Sequence, residues 1–219
     1  IEQSALYYAQ VRGLGTLKLN STKEYIEKYT EEFYLVDLYY RRTLEAYHEL
    51  ITKENPIEQT LSDAKRQLDL EYAKITNVLN LEWLTCVEEK GAWFTETGLK
   101  RQEDFFKNES DTSVKQVVIV CDALRYEVAK ELMQELAKEK HIATIDAYQA
   151  MLPTETKYCK PALLPHHSLE LNGTDMMVDG TMLTTTDQRT VRLGKYREGA
   201  ICTRYEDVMN GDAQSMREL

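Results

Sequence analysis

Val117-Val118-Ile119-Val120-Cys121-Asp122-Ala123-Leu124-Arg125-Tyr126-Glu127 is where the character of the chain changes. Four β-branched residues and a cysteine, with no polar residue among them, predict a short strand of the kind buried on both faces in a parallel sheet. Asp122 follows at once. Leu124, Val128, Leu132 and Leu136, with Ala129 and Met133 beside them, then step round one face of a helix that runs to about Lys140. Ile142 to Tyr148 (IATIDAY) predicts a second strand. Strand, helix, strand in that order is a βαβ unit, whose crossover is expected to be right-handed and whose strands are expected to be parallel. The fold class of this half is α/β.

Upstream the pattern is different. Nine of the 14 tyrosines lie at or before Tyr72. From Ser21 the register Ile26, Tyr29, Phe33, Val36, Tyr40, Leu44, Tyr47, Ile51 steps by threes and fours, the spacing that lines one helix face. Ser21 with Glu24 three residues on reads as a capping box, and Asn55-Pro56 as the stop. Ile57, Leu61, Ala64, Leu68, Tyr72, Ile75 and Leu79 repeat the pattern, and a shorter segment from Leu81 to about Lys90 ends at Gly91. Residues 1–100 therefore predict a helical bundle or hairpin, with the aromatic stripe and His48 serving as packing. The polar stretch 101–113, interrupted by Phe105 and Phe106, reads as a linker, and 114–219 as the α/β domain. Downstream, Val178-Asp179-Gly180 carries the Asp-Gly turn signal, with Thr181 to Thr186 as the returning hairpin arm.

Composition excludes several functions. The 219 residues are 42% hydrophobic and 29% charged, enough apolar material for a core and too much for intrinsic disorder of the whole chain. The longest apolar run, Val117 to Cys121, falls far short of the roughly 20 residues that span a bilayer. No signal-peptide pattern opens the chain, so a cytoplasmic, non-membrane protein is expected. With 27 basic and 37 acidic residues the net charge is −10, which disfavours direct nucleic-acid binding by this segment. Cys86, Cys121, Cys159 and Cys202 are too dispersed for a zinc ribbon or a redox pair and are expected to be reduced. Ile1 at the start and a helix-compatible end at Leu219 suggest an internal fragment of a longer protein.

Ligands of open α/β sheets bind beyond the carboxyl ends of the strands. Asp122 stands at such an end, and Thr154 and Thr156 of Leu152-Pro153-Thr154-Glu155-Thr156-Lys157 stand just past the next. A carboxylate there suits a divalent metal, and a hydroxyl suits phosphate chemistry. The plain alternatives are an N-cap aspartate and a turn with a capping hydroxyl, and the residues by themselves leave both readings open. His166-His167 is read as a surface loop, because adjacent histidines diverge. Asp146 and Asp175 have no supporting pattern. Arg125 and Glu127, past Asp122, are read as an ion pair within the helix or to the sheet.

The string Val118 to Glu127, with its Asp-Ala-Leu-Arg-Tyr-Glu, closely resembles the opening strand and helix of the PglZ domain. Leu152-Pro153-Thr154-Glu155-Thr156-Lys157-Tyr158 with Ala162-Leu163-Leu164-Pro165 is similar to that family's second block, and Val178-Asp179-Gly180 to Arg189 to its third. The resemblance covers residues 114–219, and the Tyr-rich helices resemble the region preceding the domain in type-1 BREX phage-defence proteins. It implies an alkaline-phosphatase-like α/β domain with a mostly parallel sheet and a metal-dependent phosphatase or phosphodiesterase activity. By motif, Asp122 is the implied metal ligand and Thr156 the implied nucleophile, with Thr154 the alternative. The implied cofactors are two divalent ions, zinc, manganese or magnesium. The implied partners are a phosphoester substrate and other BREX proteins, including the methyltransferase. Lys160-Pro161 departs from the small or flexible residues common in the family, and Pro161 limits a helix after Thr156 to about one turn. The family's later block, resembling Tyr-His-Asn-x-x-Asp, is expected beyond Leu219, so the fragment alone is expected to be inactive. A non-catalytic scaffold of the defence complex is the alternative function.

Overall fold

The computed structural model describes residues 1–51, 57–90, 97–111 and 113–211. They belong to two compact units, Ile1–Gly98 with Ala123–Asp146, and Leu99–Asp122 with Ala147–Leu219. The helices are α1 (Glu2–Gly13), α2 (Thr22–Lys28), α3 (Tyr34–Ile51), α4 (Glu58–Lys90), α5 (Phe105–Glu109), α6 (Tyr126–Lys138), α7 (Thr156–Ala162), α8 (Thr186–Gly194) and α9 (Tyr205–Asn210). The strands are β1 (Lys100–Arg101), β2 (Tyr148–Gln149), β3 (Leu169–Asn172), β4 (Asp175–Val178) and β5 (Thr181–Met182). Among the described residues, no helix is long and apolar enough to cross a membrane.

The first unit is helical, as the periodicity predicts. Ser21 Oγ accepts from Glu24 N–H at 3.1 Å, while the Glu24 carboxylate reaches one residue further back, to Asn20 N–H at 2.9 Å. The single helix expected after Ser21 is divided by a π turn at Tyr29–Phe33. The wider turn shifts the buried face. Phe33 thereby packs with Leu19, Tyr25 and Cys86, and Val36 with Tyr7 and Leu68. The two helical segments expected after Pro56 form one continuous α4, since Asn80 between them is only a mediocre helix former and no breaker. The stops expected at Asn55-Pro56 and Gly91 lie outside the described residues.

Helix α6 belongs to this unit and packs on α3. Arg41 and Arg42 both pair with Glu131, the latter through Nε at 2.8 Å. Glu127 is fully buried, and its carboxylate faces Arg125 Nε at 3.0 Å and Arg41 Nε at 3.7 Å. Those contacts balance its charge without the alignment of a hydrogen bond. Asp37 accepts from Tyr29 Oη at 2.7 Å and Tyr72 Oη at 2.6 Å and meets Arg125 at 3.3 Å. Tyr72 in turn stacks on Tyr40 with ring centroids 3.8 Å apart. The tyrosine stripe is core packing.

The second unit mixes helix and sheet. β1 and β2 pair in parallel, Lys100 opposite Tyr148. β3, β4 and β5 form an antiparallel meander. Gly173 (φ +64°) turns the first hairpin; Asp179 (φ +46°) and Gly180 (φ +73°) turn the second, fulfilling the Asp-Gly signal. Asp179 also staples the hairpin: it accepts from Ser168 N–H at 2.7 Å, His167 N–H at 2.9 Å and the buried Arg192 at 2.6 Å. Leu164, Val178 and Leu183 form the core beneath it.

Three expectations change. The segment read as a linker holds β1, a 3₁₀ turn at Gln102–Asp104 and α5, because Phe105 and Phe106 are anchors, packed on Tyr148 and Tyr196. Val117 to Cys121 forms no strand. Nothing among the described residues pairs with it, and Val117, Val118, Ile119 and Val120 are 77, 56, 79 and 52% exposed. The strand expected over Ile142–Tyr148 contracts to β2, leaving Ile142 fully exposed. A strand buried on both faces needs neighbours and covering helices, and the described residues supply neither. The class is α/β; among the described residues, parallel pairing is confined to β1 and β2.

Candidate active site

Helix α7 is short and strongly sided. Tyr158, Pro161 and Ala162, at i, i+3 and i+4, are its buried face. Thr156, Lys157 and Lys160 are left on the other. The helix continues one residue past Pro161, a little further than the single turn expected, and is entered through a cis Leu152–Pro153 bond. Pro153 C=O accepts from Glu155 N–H at 2.8 Å, and Glu155 C=O accepts from Tyr158 and Cys159 N–H at 2.9 Å. Gln102 ties down both flanks of the segment: its Nε2 donates to Cys159 C=O at 3.4 Å, and its Oε1 accepts from Met151 N–H at 3.2 Å.

The Thr156 hydroxyl donates toward the Asp122 carboxylate, with Oγ1 at 3.1 Å from Oδ2 and 3.3 Å from Oδ1. Lys160 Nζ stands 3.5 Å from the same Oδ2. Asp122 is not an N-cap. Helix α6 begins at Tyr126 with Arg125 in the capping position and no side-chain cap. Ala123 (φ +58°) takes the left-handed conformation immediately after Asp122, a strain of about 1–3 kcal/mol of the kind found beside functional groups. Thr154 makes no hydrogen bond to Asp122; of the two candidate hydroxyls, the structure brings Thr156 to the carboxylate. A cavity of about 380 Å³ opens beside Thr156, with Lys160, Asp175 and Arg189 in its wall.

The other candidates go elsewhere. His166 Nδ1 lies 2.7 Å from Leu164 C=O, and His167 packs its ring near Tyr196. Asp146 is absent from the cavity lining. Arg125 and Glu127 form the expected ion pair, but within the helical unit, with Asp37 and Arg41 as further partners. Burial pushes the Cys159 thiol pKa up, so it is no poised nucleophile. Gln102 and Arg189 are given no chemistry by the sequence, and Asp175 is set aside there for want of a pattern. Only the phenylalanines beside Gln102 could have flagged it, and the other two converge through the hairpins.

The family model described as "BREX system PglZ alkaline phosphatase-like domain" matches residues 102–219. The chain belongs to the PglZ family. The match opens on Gln102, the residue that clamps the Thr156 segment, and takes in Asp122. Over its whole length the chain is 27% identical, across 232 aligned residues, to the alkaline phosphatase-like protein PglZ of Bacillus cereus (strain H3081.97), covering 27% of that protein. Over 132 residues, 56% of the chain, it is 33% identical to the alkaline phosphatase-like protein BrxZ of Escherichia coli O9:H4 (strain HS), covering 15% of it. The chain thus spans about a quarter or less of the length of these PglZ relatives. No solved structure matches it.

The pair of metal ions implied by the PglZ resemblance can be tested against the donors. Zinc takes about four ligands and magnesium about six. Among the described residues, no three His, Cys, Asp or Glu side chains converge. Asp122 and Thr156 offer oxygen, but the next group, Lys160, is a cation that repels a metal. The described residues do not by themselves make a metal site.

Proposed function

We propose that this chain contributes the nucleophilic corner of a phosphatase or phosphodiesterase-like domain in a BREX phage-defence protein, with Thr156 as the nucleophile. The observation that supports it is the 3.1 Å contact from Thr156 Oγ1 to Asp122. In this reading Thr156 Oγ1 attacks phosphorus in line, the bond to the leaving oxygen breaks, and the threonine proton passes to Asp122. Water then attacks the phosphothreonine phosphorus and leaves its hydroxyl there, its other proton goes to the departed alkoxide, and Asp122 returns the first proton to Thr156 Oγ1. Asp122 is the carboxylate this segment offers to a divalent ion, zinc, manganese or magnesium, whose further donors come from outside the described residues. The setting is the cytoplasm, and the partners are other BREX components, including the methyltransferase.

In the full-length protein, Thr156→Ala and Asp122→Ala are expected to lower metal-dependent hydrolysis of a generic phosphodiester by about a hundredfold or more, with the circular dichroism spectrum kept. Unchanged turnover in both variants contradicts the assignment. The exposed apolar run Val117–Val120 favours a second reading, a scaffold that assembles the defence complex. Under that reading both variants still assemble and still restrict phage.

A further inference from the structure

The wall of the cavity beside Thr156 has the opposite sign to the protein. The chain carries a net charge of −10, yet Lys157, Lys160 and Arg189 line this cavity against one carboxylate, Asp175. Thr156 and Lys160 stand four residues apart on α7, one helical turn, and so face the cavity side by side. Arg189 comes from α8. It donates Nε–H to Leu183 C=O and Nη2–H to Thr184 C=O, both at 3.1 Å, which fixes the guanidinium in place. Among the described residues it has no carboxylate partner, so its charge is unspent. Lys157 is partly engaged with Glu155 at 3.5 Å, and Lys160 with Asp122 at 3.5 Å. A concave wall with an excess of positive charge focuses the field on an anion that enters it.

Size points the same way. The cavity's 380 Å³ is about a dozen waters' worth at roughly 30 Å³ each. A single phosphoryl group of four heavy atoms on Thr156 leaves much of it unfilled, and Arg189 lines the same cavity. A fixed guanidinium with an ammonium beside it is a fitting recogniser of a phosphate-like anion.

We propose that this cavity is a subsite for a second, non-reacting anionic group of an extended phosphoester, held by Lys160 and Arg189 with Lys157 at the edge. The inference rests on the reading of Thr156 as the nucleophile and deepens it. The substrate class is a phosphoester with two anionic groups in close succession, as in a pyrophosphate, and not an isolated monoester.

Calorimetry on full-length Thr156→Ala protein, in chelator-treated buffer so that no metal bridges the ligand, compares inorganic pyrophosphate with inorganic phosphate. Pyrophosphate is expected to bind about tenfold or more tighter. The preference is expected to collapse in Lys160→Met/Arg189→Met. If that double variant fails to fold, Lys160→Met with Arg189→Lys, which keeps a cation on α8, is expected to lower the preference part-way. Equal affinity for the two anions, or a preference that survives either double variant intact, overturns the proposal. If Thr156→Ala itself retains turnover while the preference and its loss are as expected, the nucleophile assignment fails and the subsite stands.

Discussion

Two aspartates of this chain live in opposite environments. Asp37, in the helical unit, has a side chain only 12% exposed, and two tyrosine hydroxyls and Arg125 occupy its oxygens. Asp122 is 60% exposed and has one hydroxyl and one lysine. A saturated buried carboxylate is committed to structure, because any new partner must displace an old one at the cost of an unpaired charge. An open one is free to take substrate or a cation. The two belong to adjoining work: within one six-residue stretch, Asp122 supplies the candidate site, whereas Arg125, Tyr126 and Glu127 tie α6 into the helical unit.

If that division holds, the largest stability effect lies at the buried end of the stretch. Glu127→Gln removes the buried charge that Arg41 and Arg125 share, though Glu131 and Asp37 remain to them; it is expected to cost about 2–3 kcal/mol, read as faster hydrogen exchange in α3 and α6. A cost below about 1 kcal/mol would make the network incidental. Tyr72→Phe removes a hydroxyl from Asp37 and is expected to cost about 1.5–2 kcal/mol in denaturant unfolding.

Two titrations sharpen the contrast. Tyr72 is pushed up to about 12 from 10.0, first by burial and then by its bond to Asp37. Its contribution is therefore complete below pH 10 and lost as pH rises through about 12, and tyrosinate absorbance should show a late-titrating component that Tyr72→Phe removes. Asp179 runs the other way. The Ser168 N–H bond above all, then the His167 N–H and Arg192, lower it from 3.8 to about 2. That contribution is present above pH 3.8 and lost as pH falls toward 2, so acid should open the β3–β5 hairpins in a way that Asp179→Asn no longer shows.

Smaller effects follow at the turn and at the open carboxylate. Gly180→Ala places a Cβ on a residue at φ +73° and is expected to cost about 1 kcal/mol in thermal or denaturant unfolding. Asp122→Asn, on an exposed and lightly bonded group, is expected to change stability by no more than about 0.5 kcal/mol. A larger loss would place Asp122 with Asp37 among the structural carboxylates.

What the sequence revealed divides along the same physical line. Helices announce themselves locally, so the periodicities through Tyr40, Leu68 and Leu132 and the turn at Asp179-Gly180 were legible. The pairing of Asp122 with a threonine 34 residues away was legible only as alternatives, since an N-cap and a site carboxylate share one local signature. Strand status depends on neighbours. Val117–Cys121 has strand composition, yet with nothing beside it among the described residues it stays unpaired. Gln102 and Arg189 act through the fold that brings distant segments together, and apart from the phenylalanines near Gln102 no local pattern marks them.

The reactivity of the open carboxylate's partner is tested most directly by chemical trapping. Full-length protein with divalent metal is quenched in acid during turnover of an activated phosphodiester, and its peptides are then analysed by mass spectrometry. A phosphoryl adduct on Thr156, absent from Thr156→Ala, is expected. An adduct on another residue, or turnover that continues in Thr156→Ala, would contradict Thr156 as the nucleophile.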